Sequence, residues 1–292
     1  MFHGSMVALV TPMQPSGEID FHSLRQLIDW QVKAGTQAIL VGGITGEFAA
    51  LTSKELHLLA RTAVEYAQER IAVIAAAGAG STAEAIKLAS SIQHEGVDAF
   101  LNMAPGYIRP TQEGLYRHYC MTAEKVPLPQ IIHNAPERSG CDILPATIER
   151  IAQHANIIGV KEDTPDITRG KQLLQICGEN IDIYCGYDPL AKELMLLGAK
   201  GVISIAANLA PRHMYLMSQA ALRKDIDQAE TLNNELAELY EALALEINPI
   251  PIKWALAEKG WIKEGIRLPL TPLSTEFHQK IKNILIRFEE KI

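Results

Sequence analysis

The stretch QIIHNAPERSGCDILPATIERIAQHANIIGVK, residues 130–161, contains one complete strand–helix–strand unit. It begins with the apolar run Gln130–His133, continues through a helical pattern at Pro145–Gln153, and returns to an apolar run at Ile157–Lys161. Nearly continuous apolar strands that flank a helix are typical of a parallel sheet with both faces buried. The unit therefore predicts an α/β fold.

The same alternation extends over most of the chain. The candidate strands are Val7–Thr11, Ala38–Val41, Ile71–Ala76, Ala99–Met103, Gln130–His133, Ile157–Lys161, Ile181–Cys185 and Gly201–Ser204. The helical patterns that follow them are Ser23–Lys33, Ser53–Glu69, Thr82–His94, Gln112–Ala123, Pro145–Gln153, Thr168–Cys177, Leu190–Leu197 and Pro211–Arg223. Eight such repeats predict a (β/α)8 TIM barrel, a fold that typically occupies about 250 residues.

The chain is longer than the predicted barrel needs. We expect residues 1–224 to form the catalytic barrel domain and residues 225–292 to form a helical C-terminal extension. The extension contains the segments NPIP and RLPLTPL, and no linker precedes it that would separate an independent domain. We therefore expect it to pack on the barrel.

Composition and charge favour a small-molecule substrate. The formal net charge is −7, which gives no electrostatic footprint for nucleic acid, and no run of eighteen apolar residues predicts a membrane span. The four cysteines lack CxxC spacing, which argues against a zinc site and a disulfide scaffold and favours reduced thiols in the cytoplasm. Cys185, in an apolar strand, is expected to fill the core.

In barrels of this kind, the catalytic groups lie at the C-terminal ends of the strands and in the loops that follow. Lys161 ends an apolar strand. Partial desolvation there would favour the uncharged amine, which is the form that attacks a carbonyl carbon. Alternatively, Lys161 pairs with Glu162 or Asp163 in solvent.

Other strand ends carry further candidates. Gly42, Gly43, Thr45 and Gly46 form a tight loop whose N–H groups and hydroxyl could bind a carboxylate, or which is only a structural turn. Tyr107 follows a Pro-Gly turn and could transfer protons or cap the barrel.

Two more candidates lie at the end of the fifth strand and in the loop after it. Arg138 could bind a substrate carboxylate through two hydrogen bonds, or pair structurally with Glu137. His133 has an imidazole suited to proton transfer, a side chain that is also common as a hydrogen-bonded core residue.

Together, these motifs resemble the dihydrodipicolinate synthase family of the N-acetylneuraminate lyase superfamily. The resemblance covers nearly the whole chain. It includes Tyr107, Arg109-Pro110, Gly186, and the segments GSMVALVTPM (4–13), GITGE (43–47), NAPERSGCDILP (134–145), GVKED (159–163), GVISIAANLAP (201–211), NPIPIKWA (248–255) and RLPLTPL (267–273).

The resemblance implies that Lys161 forms a Schiff base with pyruvate, whose enamine condenses with L-aspartate 4-semialdehyde to give 4-hydroxy-tetrahydrodipicolinate. Thr45, with the backbone of Ile203, would bind the pyruvate carboxylate, Gly186 would line the site, and Arg138 would bind the aldehyde substrate. No cofactor or metal is expected, because the protonated Schiff base is itself the electron sink.

The resemblance also implies a homo-oligomer. Tyr107 would reach into the neighbouring subunit's site, which implies a tight dimer and a dimer of dimers. Isolated monomers would then be poor catalysts.

Two positions depart from the family pattern. Its proton relay uses a threonine and a tyrosine where this chain has Ile44 and His133. Ile44 cannot carry a proton, whereas an imidazole at His133 can donate or accept one. Two alternatives therefore stand beside the synthase: a sister pyruvate-dependent aldolase or dehydratase with another second substrate, and a barrel that binds keto acids with little turnover.

Overall fold

A closed parallel barrel forms the centre of the protein, and the computed structural model describes residues 2–288. Within these residues each strand pairs in parallel with the next along the chain, and the last returns to the first. The strands are β1 (Gly4–Ala8), β2 (Ala38–Val41), β3 (Ala72–Ala77), β4 (Ala99–Met103), β5 (Gln130–Asn134), β6 (Ile157–Glu162), β7 (Asp182–Cys185) and β8 (Gly201–Ser204). The predicted (β/α)8 TIM barrel is confirmed.

Helices surround the barrel and continue beyond it. They are α1 (Phe21–Ala34), α2 (Ser53–Ala67), α3 (Thr82–Gln93), α4 (Gln112–Lys125), α5 (Pro136–Ser139), α6 (Pro145–Ile151), α7 (Ile167–Cys177), α8 (Ala191–Leu197), α9 (Pro211–Leu222), α10 (Ile226–Leu243), α11 (Ile250–Glu258) and α12 (Thr275–Leu285). Short 3-10 turns lie at Phe48–Ala50, Asp188–Leu190 and Ala206–Asn208. Within residues 2–288, no helix has both the length and the apolar character needed to cross a bilayer.

The first strand differs most from its predicted position. The prediction placed it at Val7–Thr11, but it spans Gly4–Ala8. Gly4 pairs with Gly201 of β8 although its residue type carries no hydrophobic signal. Beyond the strand, the Val10 N–H donates to the Asn208 side chain at 3.0 Å, so a residue of a 3-10 turn takes the place of a neighbouring strand.

The barrel separates two buried layers because side chains alternate along each strand. Met6, Leu40, Ile74, Leu101 and Tyr184 belong to the cluster inside the barrel. The other strand faces pack against the surrounding helices in a second, larger core. Functional groups at the strand ends are therefore anchored on rigid, packed elements.

The C-terminal helices contact the barrel at its catalytic end. Lys253 of α11 forms a buried ion pair with Glu47, in the loop after β2. The Arg267 backbone N–H donates to the same carboxylate at 3.0 Å, and its side chain binds Glu55 at the start of α2. We propose residues 225–292 as one extension packed on the barrel domain of residues 1–224, although residues 1 and 289–292 lie outside the described residues.

Candidate active site

A cavity of about 460 Å³ opens at the C-terminal ends of the strands. Groups from several parts of the fold line it, among them the loop after β2, the ends of β5 and β6, helix α5, the loop after β7, and the segment that joins α10 to α11. The lining includes Ile44, Thr45, His133, Arg138, Lys161, Asp163, Gly186 and Asn248. Five of the seven residues predicted for the site therefore lie around one cavity.

Lys161 lies on the inner face of β6 and is only 6% exposed. Its Nζ atom donates to Oδ2 of Asp163 at 3.1 Å. The alternative was that Lys161 pairs with an acidic neighbour in solvent. The pair with Asp163 exists, but both groups are shielded from bulk water. A buried amine at the base of a cavity is suited to attack a bound carbonyl group.

Asp163 also binds His133. The Nε2 atom of His133 lies 2.6 Å from Oδ2, the same carboxylate oxygen that accepts from Lys161. Burial lowers the pKa of His133, and the nearby Lys161 charge lowers it further, so the imidazole is neutral at pH 7. Burial raises the pKa of Asp163, but the Lys161 charge and the hydrogen bonds from His133 and Lys161 outweigh it and lower that pKa. An ionised Asp163 therefore accepts hydrogen bonds from both neighbours.

Glu162 points to the opposite side of β6 from Lys161. Its buried carboxylate accepts from Arg169 at 2.9 Å and from the Asn134 side chain at 3.1 Å. Burial raises the pKa of Glu162, and Arg169 opposes that rise. The prediction ended β6 at Lys161, but backbone pairing of Glu162 with Asn134 and Cys185 extends the strand by one residue. The side-chain bonds of Glu162 hold the strand end that carries the amine.

The glycine-rich loop after β2 combines a structural role with a functional group. Gly42 has φ +65°, and a Cβ on Gly46 would lie 3.0 Å from both the Gly42 nitrogen and the Thr11 hydroxyl. Thr45 is 2% exposed, and its hydroxyl oxygen accepts from the Asn248 side chain at 3.1 Å. The glycines thus give the turn its shape, and Thr45 faces the cavity.

Arg138 lies on α5 and lines the cavity. Its guanidinium donates to the Asn248 carbonyl oxygen at 3.2 Å, and no ion pair within residues 2–288 joins it to Glu137. Burial lowers its pKa from the ordinary value, yet an arginine side chain stays charged in proteins. The guanidinium remains able to bind an anionic substrate.

The remaining predicted residues differ in position. Gly186 lines the cavity, and Ile203 is fully buried inside the barrel, where its side chain lines no part of the cavity among the described residues. Tyr107 has φ +73° and is 97% exposed on this single chain. The structure therefore brings neither Tyr107 nor the Ile203 side chain to the cavity of its own chain.

The sequence missed the roles of Asp163 and Asn248. Asp163 is two residues from Lys161, and strand periodicity places such residues on the same face. That signal could have found it. Asn248 is 203 positions from Thr45, and no local pattern connects them. All four cysteines are free, and burial raises the pKa of the Cys185 thiol, in agreement with a core role.

The chain is similar in sequence to known proteins along nearly its whole length. The family model described as Dihydrodipicolinate synthetase family matches residues 1–287. The 4-hydroxy-tetrahydrodipicolinate synthase of Nitrosococcus oceani is 50% identical over 285 residues, which are 98% of each chain. That of Pseudomonas aeruginosa is 47% identical with the same coverage.

Solved structures agree with the sequence relatives. The chloride-inhibited dihydrodipicolinate synthase of Acinetobacter baumannii, complexed with pyruvate, superposes with a TM-score of 0.97 at 45% identity, over 98% of this chain and 99% of that one. The Aquifex aeolicus enzyme gives 0.96 at 40% identity over 98% of each chain. Sequence, fold and cavity together show that this chain belongs to the dihydrodipicolinate synthetase family.

Proposed function

We propose that this chain condenses pyruvate with L-aspartate 4-semialdehyde to give 4-hydroxy-tetrahydrodipicolinate, for lysine and diaminopimelate biosynthesis. Relatives at 47–50% identity over 98% of the chain carry that activity in their names. At the level of single residues, the proposal rests on the position of Lys161, whose buried amine lies at the base of the cavity. Its Nζ atom donates to the Asp163 carboxylate at 3.1 Å.

The chemistry begins when the Lys161 amine attacks the C2 carbonyl of pyruvate and water leaves. The resulting iminium withdraws electrons from C3, which loses a proton to give an enamine. The C3 carbon then attacks the aldehyde carbon of the second substrate. Cyclisation through the amino group of that substrate displaces the lysine and regenerates its free amine.

Substrate binding is assigned by position around the cavity. Thr45 offers its hydroxyl to the pyruvate carboxylate, with the backbone of Ile203 beside it, and Gly186 lines the site. Arg138 lies on α5 at the cavity wall, where a guanidinium suits the carboxylate of the aldehyde substrate. Each substrate carries a carboxylate, in keeping with these cationic and hydroxyl groups.

A homo-oligomer, arranged as a dimer of dimers in the cytoplasm, is part of the proposal. Tyr107 and Ile108 are 97% and 57% exposed, an unusual exposure for an aromatic and an aliphatic side chain next to an active site. A partner chain that packs on this loop would cover both and receive the Tyr107 phenol. Tyr107 would then act as a catalytic residue in the neighbouring cavity.

Borohydride trapping tests the proposal. We expect pyruvate and borohydride to add a stable adduct to the peptide that contains Lys161, as measured by mass spectrometry. A Lys161→Arg variant keeps the charge and should form none, whereas the exposed-lysine variant Lys87→Arg should trap normally. A coupled assay with aspartate 4-semialdehyde then measures turnover, and absence of an adduct on wild-type protein would overturn the Schiff base.

Ile44 and His133 in the cavity support a second candidate. The chain would then be a sister pyruvate-dependent aldolase or dehydratase that takes another second substrate, or a keto-acid-binding paralogue with weak turnover. Trapping with pyruvate together with turnover of a different aldehyde or keto acid would favour the sister enzyme. Trapping without turnover of any tested substrate would favour the paralogue.

A further inference from the structure

The Asp163 carboxylate connects the two titratable groups at the base of the cavity. Oδ2 lies 3.1 Å from Nζ of Lys161 and 2.6 Å from Nε2 of His133. The second oxygen, Oδ1, is buried and has no hydrogen-bond partner among the described residues. A buried carboxylate oxygen without a partner is costly, which suggests that it is retained for a functional reason.

Gly186 provides the space that this carboxylate occupies. A Cβ at position 186 would lie 1.7 Å from Oδ1 of Asp163 and 2.8 Å from Cε of Lys161. Any side chain at position 186 would therefore displace the acid, the amine, or both. The local structure is consistent with a carboxylate held against the lysine.

Few other groups near Lys161 can move a proton. Ile44 lines the same cavity with an aliphatic side chain. The titratable groups around Asp163 include Lys161 two residues before it, His133 from β5, Arg138 from α5 and Cys185 from β7. Asp188, after β7, also acts on Lys161 electrostatically, but its Oδ2 atom accepts from the backbone N–H groups of Ile205 and Ala206. The guanidinium of Arg138 and the buried Cys185 thiol both keep their protons at neutral pH. That leaves Asp163 as the base in direct contact with the amine.

We propose that Asp163 is a catalytic residue that transfers the protons of Schiff-base formation between Lys161 and the carbonyl oxygen of the keto acid, with His133 positioning the carboxylate. The inference rests on the proposed function, because it concerns the same lysine and the same keto acid. His133 donates through Nε2 to the Asp163 oxygen that contacts Lys161 and so fixes the orientation of the carboxylate.

The proton balance follows from this arrangement. Asp163 takes one proton from the Lys161 ammonium, and the free amine forms the N–C bond while the carbonyl π bond opens. The protonated acid returns that proton to the new oxygen and takes the next one from nitrogen. The second transfer converts the hydroxyl to water, the C–O bond breaks, and the nitrogen lone pair forms the iminium. Two ammonium protons and the carbonyl oxygen thus leave as one water molecule, and Asp163 ends ionised as it began.

Asp163→Asn is the first test, because asparagine keeps the size and the acceptor oxygen but cannot take a proton. We expect the rate of borohydride-trapped adduct formation with pyruvate to fall roughly 10²- to 10⁴-fold, the usual contribution of general acid–base catalysis. Pyruvate binding, measured by calorimetry, should stay within about threefold. The exposed Asp227→Asn is the matched control and should trap at the wild-type rate.

Chemical rescue separates proton transfer from a purely structural role. In Asp163→Ala, formate can occupy the space of the lost carboxylate, and we expect it to restore the trapping rate in proportion to its concentration. Trapping by Asp163→Asn at the wild-type rate, or a folded Asp163→Ala that formate does not accelerate, would overturn the role of Asp163 alone. Failure of the wild-type protein to trap pyruvate would overturn the proposed function and this inference together.

Discussion

The side-chain amide of Asn248 donates a hydrogen bond of 3.1 Å to the hydroxyl oxygen of Thr45. The carbonyl oxygen of the same asparagine accepts from Arg138 at 3.2 Å. Asn248 lies between α10 and α11, outside the barrel strands. One residue of the C-terminal segment therefore orients both groups that we assign to substrate carboxylates.

Loss of the Asn248 amide should weaken pyruvate binding selectively. Because Asn248 donates to Thr45, the Thr45 hydroxyl hydrogen is free to point at the ligand. We expect Asn248→Ala to raise the pyruvate KM about three- to tenfold, the effect of one neutral hydrogen bond. The KM for the aldehyde should change less, since the backbone carbonyl that binds Arg138 remains. Initial-rate kinetics measure both, with the exposed Asn180→Ala as control, and an unchanged pyruvate KM would contradict the assignment.

A methyl group at position 186 should disable the site. Gly186→Ala would place Cβ 1.7 Å from Oδ1 of Asp163, so we expect destabilisation of about 1–3 kcal/mol and loss of trapping with pyruvate. Gly80→Ala is the matched control, because a Cβ there meets no atom within 4 Å. Thermal unfolding and borohydride trapping are the measurements. Normal trapping by Gly186→Ala would show that Asp163 can move away without consequence.

The buried ion pair between Lys253 and Glu47 should contribute strongly to the stability of the contact between the C-terminal extension and the barrel. Both side chains are at most 4% exposed, and Lys253→Met would leave the Glu47 charge buried without its lysine. We expect a loss of about 3–5 kcal/mol in the free energy of unfolding. In the solvent-exposed pair of Lys87 and Glu84, Lys87→Met should cost under about 1 kcal/mol. Urea unfolding measures the free energy of unfolding of both variants. Equal losses would show that the buried pair stabilises the protein no more than the exposed pair does.

His118 should make the protein less stable in mild acid. Burial lowers its pKa to about 4, whereas the unfolded chain protonates it near 6.5. The unfolded state therefore binds the proton first, so stability falls as the pH drops through this window. From pH 7 to pH 5 the loss attributable to His118 is about 2 kcal/mol.

His118→Gln removes that titration and keeps a side chain that can bind the Thr82 hydroxyl, the present neighbour of Nδ1 at 3.0 Å. The free energy of unfolding of this variant should decrease less between pH 7 and pH 5 than that of the wild-type protein. Urea titrations at the two pH values measure the difference. Parallel losses would mean that His118 protonates equally in both states.

Local sequence patterns predicted the barrel because each buried strand is apolar over most of its length. They failed where a strand begins or ends with small or polar residues, as at Gly4 and Glu162, because backbone pairing with the neighbouring strand, and not hydrophobicity, sets those ends. Lys161 and His133 were predicted as candidates because they follow apolar runs. Asn248 was not, since its role depends on a contact between distant segments.

The alternating direction of the side chains at the end of β6 limits how this protein can evolve. Lys161 and Asp163 face the cavity, and Glu162 between them faces Arg169. Deleting or inserting one residue here would turn the amine outward and bring a glutamate inward, because a shift of one position reverses every side chain of a strand. Point substitutions can retune the reaction gradually, whereas changes in the length of this strand are tolerable only in steps of two.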